Sequence, residues 1–219
     1  MITQTSAPAS FENRHTRLYV TVQGVLGGVI AAIHGLAETM KGNVPTGGNW
    51  LGSIGAFTLI HNYVVTGVAA VIMSLALAVW TVGWIHTRHG ATVFLGIGIM
   101  LFLVGGGVAQ VLFLLIAWAA ATQICKPLNW ARGWLSEKTR ICLAAIWPCA
   151  FGLGYFFLAG GILIWLIWTP PGVEHRNPVA QYVCWACLSI SILLQLLTIA
   201  AGFAQDAQRP QSNKALGPE

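Results

Sequence analysis

At 219 residues the chain is 56% hydrophobic and only 8% charged, whereas soluble domains carry about a quarter of charged residues. That composition excludes an ordinary soluble enzyme and makes lipid the expected solvent. The formal charge of +5 does not signal nucleic acid, because the basic residues are scattered over tails and loops; they read as topology signals and contacts to lipid headgroups.

Five apolar stretches, Leu18–Glu38, Ile54–Ile85, Ala91–Ile124, Ile141–Trp168 and Val179–Ala204, exceed the roughly 20 residues that a bilayer-spanning helix requires. They predict an all-α, polytopic bundle of five transmembrane helices. A polar N-terminal tail over 1–17 precedes a membrane domain over 18–205, and a polar, disordered tail over 206–219 follows. Five spans leave no length for a separate soluble domain.

The first run is too long for a signal-peptide core and lacks a small-residue cleavage site, so it is expected to remain as the first span. Gly24 and Gly28, four apart on it, allow close helix packing inside the bundle. Lys41–Trp50 is rich in Gly, Pro and Asn and reads as a loop. Counted from Leu51 to His86, the second run would make roughly 54 Å of helix against about 30 Å of hydrocarbon. Leu51–Phe57 is therefore expected to be interfacial or irregular, with the crossing centred near Ala69–Leu77 and Trp80 and Trp84 in an aromatic belt.

Near the middle of the third run stand Gly105, Gly106 and Gly107. Each costs about 1 kcal/mol relative to Ala in a helix, so a glycine-broken third helix is predicted. The break either packs against a bulky neighbour or lines a pocket. Lys126–Arg140, with Trp130 and Trp134 among its charges, suits an amphipathic segment on the membrane surface. Pro148 is expected in the first turns of the fourth span, where its missing donor matters least.

Orientation rules conflict on five spans. Arg14 and Arg17 favour a cytoplasmic N-terminus, yet the loops carrying Lys41, Lys126, Arg132, Lys138 and Arg140 would then lie outside, so the loop count favours the N-terminus out.

His34 and His61 are the ionisable residues most worth weighing, since such groups in a span are functional candidates. Both fall toward the same membrane face, and Glu38 lies one turn beyond His34. Packing is the commoner role of such histidines. The sharper alternatives are a transition-metal site of His34, Glu38 and His61, or axial ligation of a b-type haem by His34 and His61. Cys184 and Cys187 have dithiol spacing, which gives a third reading as a thiol or quinone oxidoreductase. Their apolar setting favours packing, and Cys125, Cys142 and Cys149 lie toward the other end.

No phosphate-binding loop, nucleophile elbow or zinc-protease helix occurs. No Asp, Glu, Lys or Arg lies mid-span, which disfavours coupled ion transport. The favoured expectation is a non-catalytic protein of the bacterial inner (plasma) membrane: a subunit of a larger membrane complex or a homo-oligomer, or a handler of a lipid-like ligand.

Overall fold

A computed structural model of the protein describes residues 12–51, 56–168 and 178–208. Its order is α1 (Arg14–Thr39), β1 (Trp50–Leu51), β2 (Ala56–Phe57), α2 (Tyr63–Gly83), α3 (Gly90–Leu103), α4 (Val108–Ala121), α5 (Asn129–Trp134), α6 (Glu137–Trp168) and α7 (Pro178–Gln208). Four helices, α1, α2, α6 and α7, are long and apolar enough to cross a membrane. In place of a single third span there are two shorter apolar helices, α3 and α4, of 14 residues each.

Close approach of α1 and α2 follows from glycine. A Cβ on Gly35 would stand 2.7 Å from the Gly67 carbonyl oxygen, and one on Gly28 would stand 2.8 Å from that of Ser74. Without a hydrophobic drive between helices in lipid, such backbone proximity is a main source of association. Because Gly24 meets Thr81 while Gly35 meets Gly67, the two helices run antiparallel.

The glycine triplet does not interrupt one continuous helix. The Gly105 N–H donates to Phe102 O at 3.4 Å and the Gly106 N–H to Leu101 O at 2.8 Å, with Gly105 at φ +98°. This is the Schellman pattern that ends a helix on a left-handed glycine. Gly107, at φ +85°, then starts α4, which returns along α1: Gln110 reaches the level of Ala31, Leu114 that of Gly27, and Ile124 O accepts from Asn13 N at 2.9 Å. The reason is local. Three residues with no Cβ penalty for positive φ make a tight reversal cheaper than a kinked helix.

The described chain therefore passes along the bundle six times. Residues 12–17, the turn 84–89, the segment from Thr122 to Arg140 and the end of α7 share one end, here the near end. The β1–β2 hairpin and the α3–α4 turn share the far end. The hairpin pairs Trp50 with Phe57 and Leu51 with Ala56, and the end of α3 is capped by the segment that follows the hairpin and by α2: Leu59 N donates to Leu103 O at 2.9 Å and Thr66 Oγ1 of α2 to Val104 O at 2.7 Å. Carbonyls at a helix end with no water nearby need such partners.

Two further boundaries differ from expectation. Glu137–Arg140 is the first turn of α6 rather than loop, with Thr139 N donating to Ser136 Oγ at 3.2 Å, so Pro148 lies about three turns inside the helix. The helix α7 continues to Gln208, so residues 206–208 belong to the bundle rather than to a tail. At the other end α1 already begins at Arg14, so residues 14–17 of the tail expected over 1–17 are helical; residues 1–11 and 209–219 of the two expected tails lie outside the described residues.

Candidate functional site

The sequence candidates at the far end are engaged separately. His34 is partly buried on α1, and its Nε2 is buried without a hydrogen-bond partner. His61 is exposed, with Nε2 3.0 Å from Asn49 Oδ1. Glu38 is fully buried, and Lys41 Nζ lies 3.1 and 3.3 Å from its two carboxylate oxygens while sitting 4.5 Å over the Tyr63 ring. A carboxylate in the last turn of a helix opposes the helix dipole, and the Lys41 ammonium offsets that charge. Among the described residues, no three His, Cys, Asp or Glu side chains stand close enough together to hold a metal ion. Beside the turn, the Gln110 amide lies between Gly106 O and the Ala31 N–H; that side chain ties α4 to α1.

Cys184 Sγ donates to Gly161 O at 3.3 Å, and a Cβ on Gly161 would come within 3.3 Å of the Cys187 Cβ. The pair packs onto α6, and all five cysteines are free thiols. Cys125, Cys142 and Cys149 lie toward the opposite end.

Sequence reasoning missed the best-connected polar groups, which are at the near end. Asn13 precedes α1, but its side chain does not cap that helix. Its Nδ2 donates instead to Gln123 O at 2.6 Å and Lys126 O at 2.9 Å, tying the start of α1 to the end of α4. The first-turn donors of α1 are taken by Asp206 of α7. Its Oδ1 accepts from His15 N at 3.1 Å and lies 2.9 Å from His15 Nδ1; its Oδ2 accepts from Thr16 N at 3.0 Å and Thr16 Oγ1 at 2.8 Å. An anion at the positive end of a helix, saturated by donors, is a favourable arrangement for a buried carboxylate.

Deeper in the bundle, Tyr19 OH donates to Gln195 Oε1 at 3.0 Å, Gln195 Nε2 to Ser191 Oγ at 3.3 Å, and Ser191 Oγ to Gly154 O at 2.9 Å. Tyr155 OH donates to Gln23 Oε1 at 3.0 Å. A ladder of rings, Trp147, Phe151 and Tyr155, with centroids 5.0 and 4.9 Å apart, runs up α6 from the edge-on contact of His15 with Trp147. These contacts bind α1, α6 and α7 together, while the Trp147 Nε1 is buried without a hydrogen-bond partner.

Open space lies elsewhere. Between α4 and α7 runs an apolar crevice of about 480 Å³, walled by Leu115, Ile116 and Ala119 on one side and Leu196, Ile199 and Phe203 on the other. Gln123 and Trp130 close its near end, with Trp130 edge-on to Phe203 at 5.6 Å. Its volume is within the ~300–1,000 Å³ typical of ligand pockets. Leu115 and Leu196 are exposed along it, so the crevice opens sideways, where a bilayer would be.

No family model, no curated protein and no solved structure matches the chain.

Proposed function

We propose that the protein is a non-catalytic integral membrane protein of the bacterial inner membrane type that holds a lipid-like apolar ligand between α4 and α7. The observation that carries this reading is the crevice, whose apolar walls end at an amide and an indole. Its walls match an acyl chain, and Trp130 suits the headgroup level. The Asp206 carboxylate, engaged by donors from His15 and Thr16, supports a structural role for the near-end network.

The same reading places six passes in the membrane, with both described ends of the chain on the cytoplasmic side. Six passes remove the conflict between the two charge rules. Arg14, Arg17, Arg88, Lys126, Arg132, Lys138 and Arg140 all fall at the near end, against Glu12, Glu137 and Asp206. Among the described residues the far end carries only Lys41 and Glu38, which pair. That asymmetry is the positive-inside pattern. The half-buried Trp80 and the exposed Trp84, stacked with centroids 5.8 Å apart, join Trp130 and Trp134 in a belt at that end.

Labelling tests the arrangement. In single-cysteine variants, a thiol introduced by Glu12→Cys and the native Cys125 should both be shielded from a membrane-impermeant maleimide in intact cells. One introduced by Gly47→Cys in the open far-end loop should react. Five spans would instead put residues 12 and 125 on opposite sides, and that pattern would overturn the six-pass reading. Cys125 also carries its own pH signature. Burial first, then the charge of Glu12, push its thiol up from its ordinary value, which favours the unreactive neutral form. Its alkylation in opened cells should be slower at neutral pH than that of a solvated cysteine and should accelerate as pH rises.

The ligand-holding reading is tested by filling the crevice. Lipid that co-purifies with the wild-type protein should be lost from an Ala119→Trp variant that stays monodisperse. Equal lipid content in both would overturn it.

A further inference from the structure

Resting on the crevice reading, we infer that the occupant is an uncharged lipid with a free hydroxyl, its apolar body between α4 and α7 and its hydroxyl at Gln123 and Trp130. The lining points to that class. Among the described residues no Asp, Glu, Lys, Arg or His lines the crevice. An ionised headgroup drawn into it would lose hydration with no countercharge in return. Polar side-chain atoms enter the lining only with Gln123 and Trp130, together at the near end.

Both residues are held from behind. Asn13 Nδ2 donates to Gln123 O at 2.6 Å, which fixes the end of α4. Arg132 Nε donates to Ala207 O at 2.9 Å, and Leu128 and Ala131 are buried with Ala207 against Phe203, so α5 and its Trp130 are fastened to the end of α7. What they leave free is one acceptor beside donors. Gln123 Nε2 donates to Thr122 Oγ1 at 3.1 Å, while among the described residues Gln123 Oε1 accepts no hydrogen bond and the Trp130 indole N–H donates none. A hydroxyl serves both, accepting the indole proton and giving its own to Oε1. An ester or quinone carbonyl only accepts, and it would leave Oε1 unpaired beside an apolar ligand. Sites that pair with a hydroxyl discriminate against analogues that lack it.

Lipid retention by the full chain in an amine-oxide detergent, which has no hydroxyl of its own, tests this. The protein is incubated with equal amounts of dioleoylglycerol, its acetyl ester, dioleoylphosphatidylcholine and geranylgeraniol, re-isolated by size exclusion and extracted for mass spectrometry. The wild type should retain the alcohols about tenfold over the ester and the phospholipid. Whichever alcohol is the more abundant identifies the source as a glyceride or a prenyl alcohol. Gln123→Leu keeps the backbone carbonyl that Asn13 holds, and Trp130→Phe keeps a ring against Phe203. Each should cut the preference to about twofold or less. Ala119→Trp, which places an indole between the walls, should release all four lipids. Ester or phospholipid retained as well as the alcohols, or an unchanged preference in either polar variant, would overturn the hydroxyl assignment and leave the apolar-ligand reading in place. Unchanged retention in Ala119→Trp, or none by the wild type, would sink both.

Discussion

Asp206→Ala should be among the most destabilising single substitutions in the protein, lowering unfolding free energy by about 3–5 kcal/mol. The carboxylate is buried and engages four donors at once. Alanine would leave the N–H of Thr16 and its hydroxyl buried and unpaired, and each such orphan costs about 1–3 kcal/mol. The loss falls on the contact between the start of α1 and the end of α7, which join the two halves of the bundle. Asp206→Asn retains one acceptor oxygen for the first turn of α1 but loses the charge, so its loss should be intermediate. Thr16→Val removes one hydroxyl donor and should cost about 1 kcal/mol. Denaturation of the three variants in detergent, followed by tryptophan emission, checks the order. A loss below about 1 kcal/mol in Asp206→Ala would mean that the four contacts contribute little to the bundle.

How much of this was legible varies by residue, for physical reasons. The lipid-facing class and the four long helices were legible because uninterrupted apolar length has few other uses. The packing of Gly24 and Gly28 was also readable, since small residues four apart have one face to share. The reversal at Gly105–Gly107 was not read, although its signals were present. The third run is too long for one crossing, and glycine past an apolar helix is a helix-ending signal as well as a kink. Choosing between them requires knowing what satisfies the freed carbonyls. The partners, Leu59 and Thr66, are far away in sequence.

Asp206 was hidden by a different rule. A polar residue after an apolar run looks like the beginning of a tail, yet nothing between Gly202 and Pro210 breaks a helix. The extra turn of α7 carries the carboxylate to the donors of α1, a pairing across nearly the whole chain that no local pattern encodes. His34 and His61 share the far end, as their positions in the chain implied. Their individual contacts are set at rotamer level, where the ring of His61 turns to Asn49. The crevice was invisible in the sequence because it is defined by two helices that touch over only a short stretch, with α1 packed against both.

Glycine substitutions should divide sharply by location, and among alanine variants of Gly35, Gly67, Gly96 and Gly160, Gly67→Ala is expected to be the costliest. A Cβ there would stand 2.5 Å from the Gly35 carbonyl oxygen and 2.7 Å from the Thr39 nitrogen, and would also strike the Thr39 hydroxyl. The first two are backbone atoms of α1 and cannot rotate away, and the hydroxyl is held by its bond to Gly35 O at 2.8 Å. Relief requires the helices to separate, which loosens every contact along their shared face. Overpacking of this kind costs about 1–3 kcal/mol. Gly96→Ala and Gly160→Ala meet nothing within 4 Å. They remove a glycine from a helix interior, which should stabilise by about 0.5–1 kcal/mol. Gly35→Ala makes the same collision from the other side, 2.7 Å from Gly67 O. The double variant should therefore lose less than the sum of the two singles, because helices already apart do not clash again. Thermal unfolding of the four single variants and the Gly35→Ala, Gly67→Ala double measures both effects. Strict additivity of the pair, or a Gly67→Ala variant as stable as Gly96→Ala, would show that α1 and α2 are not in backbone contact at this point.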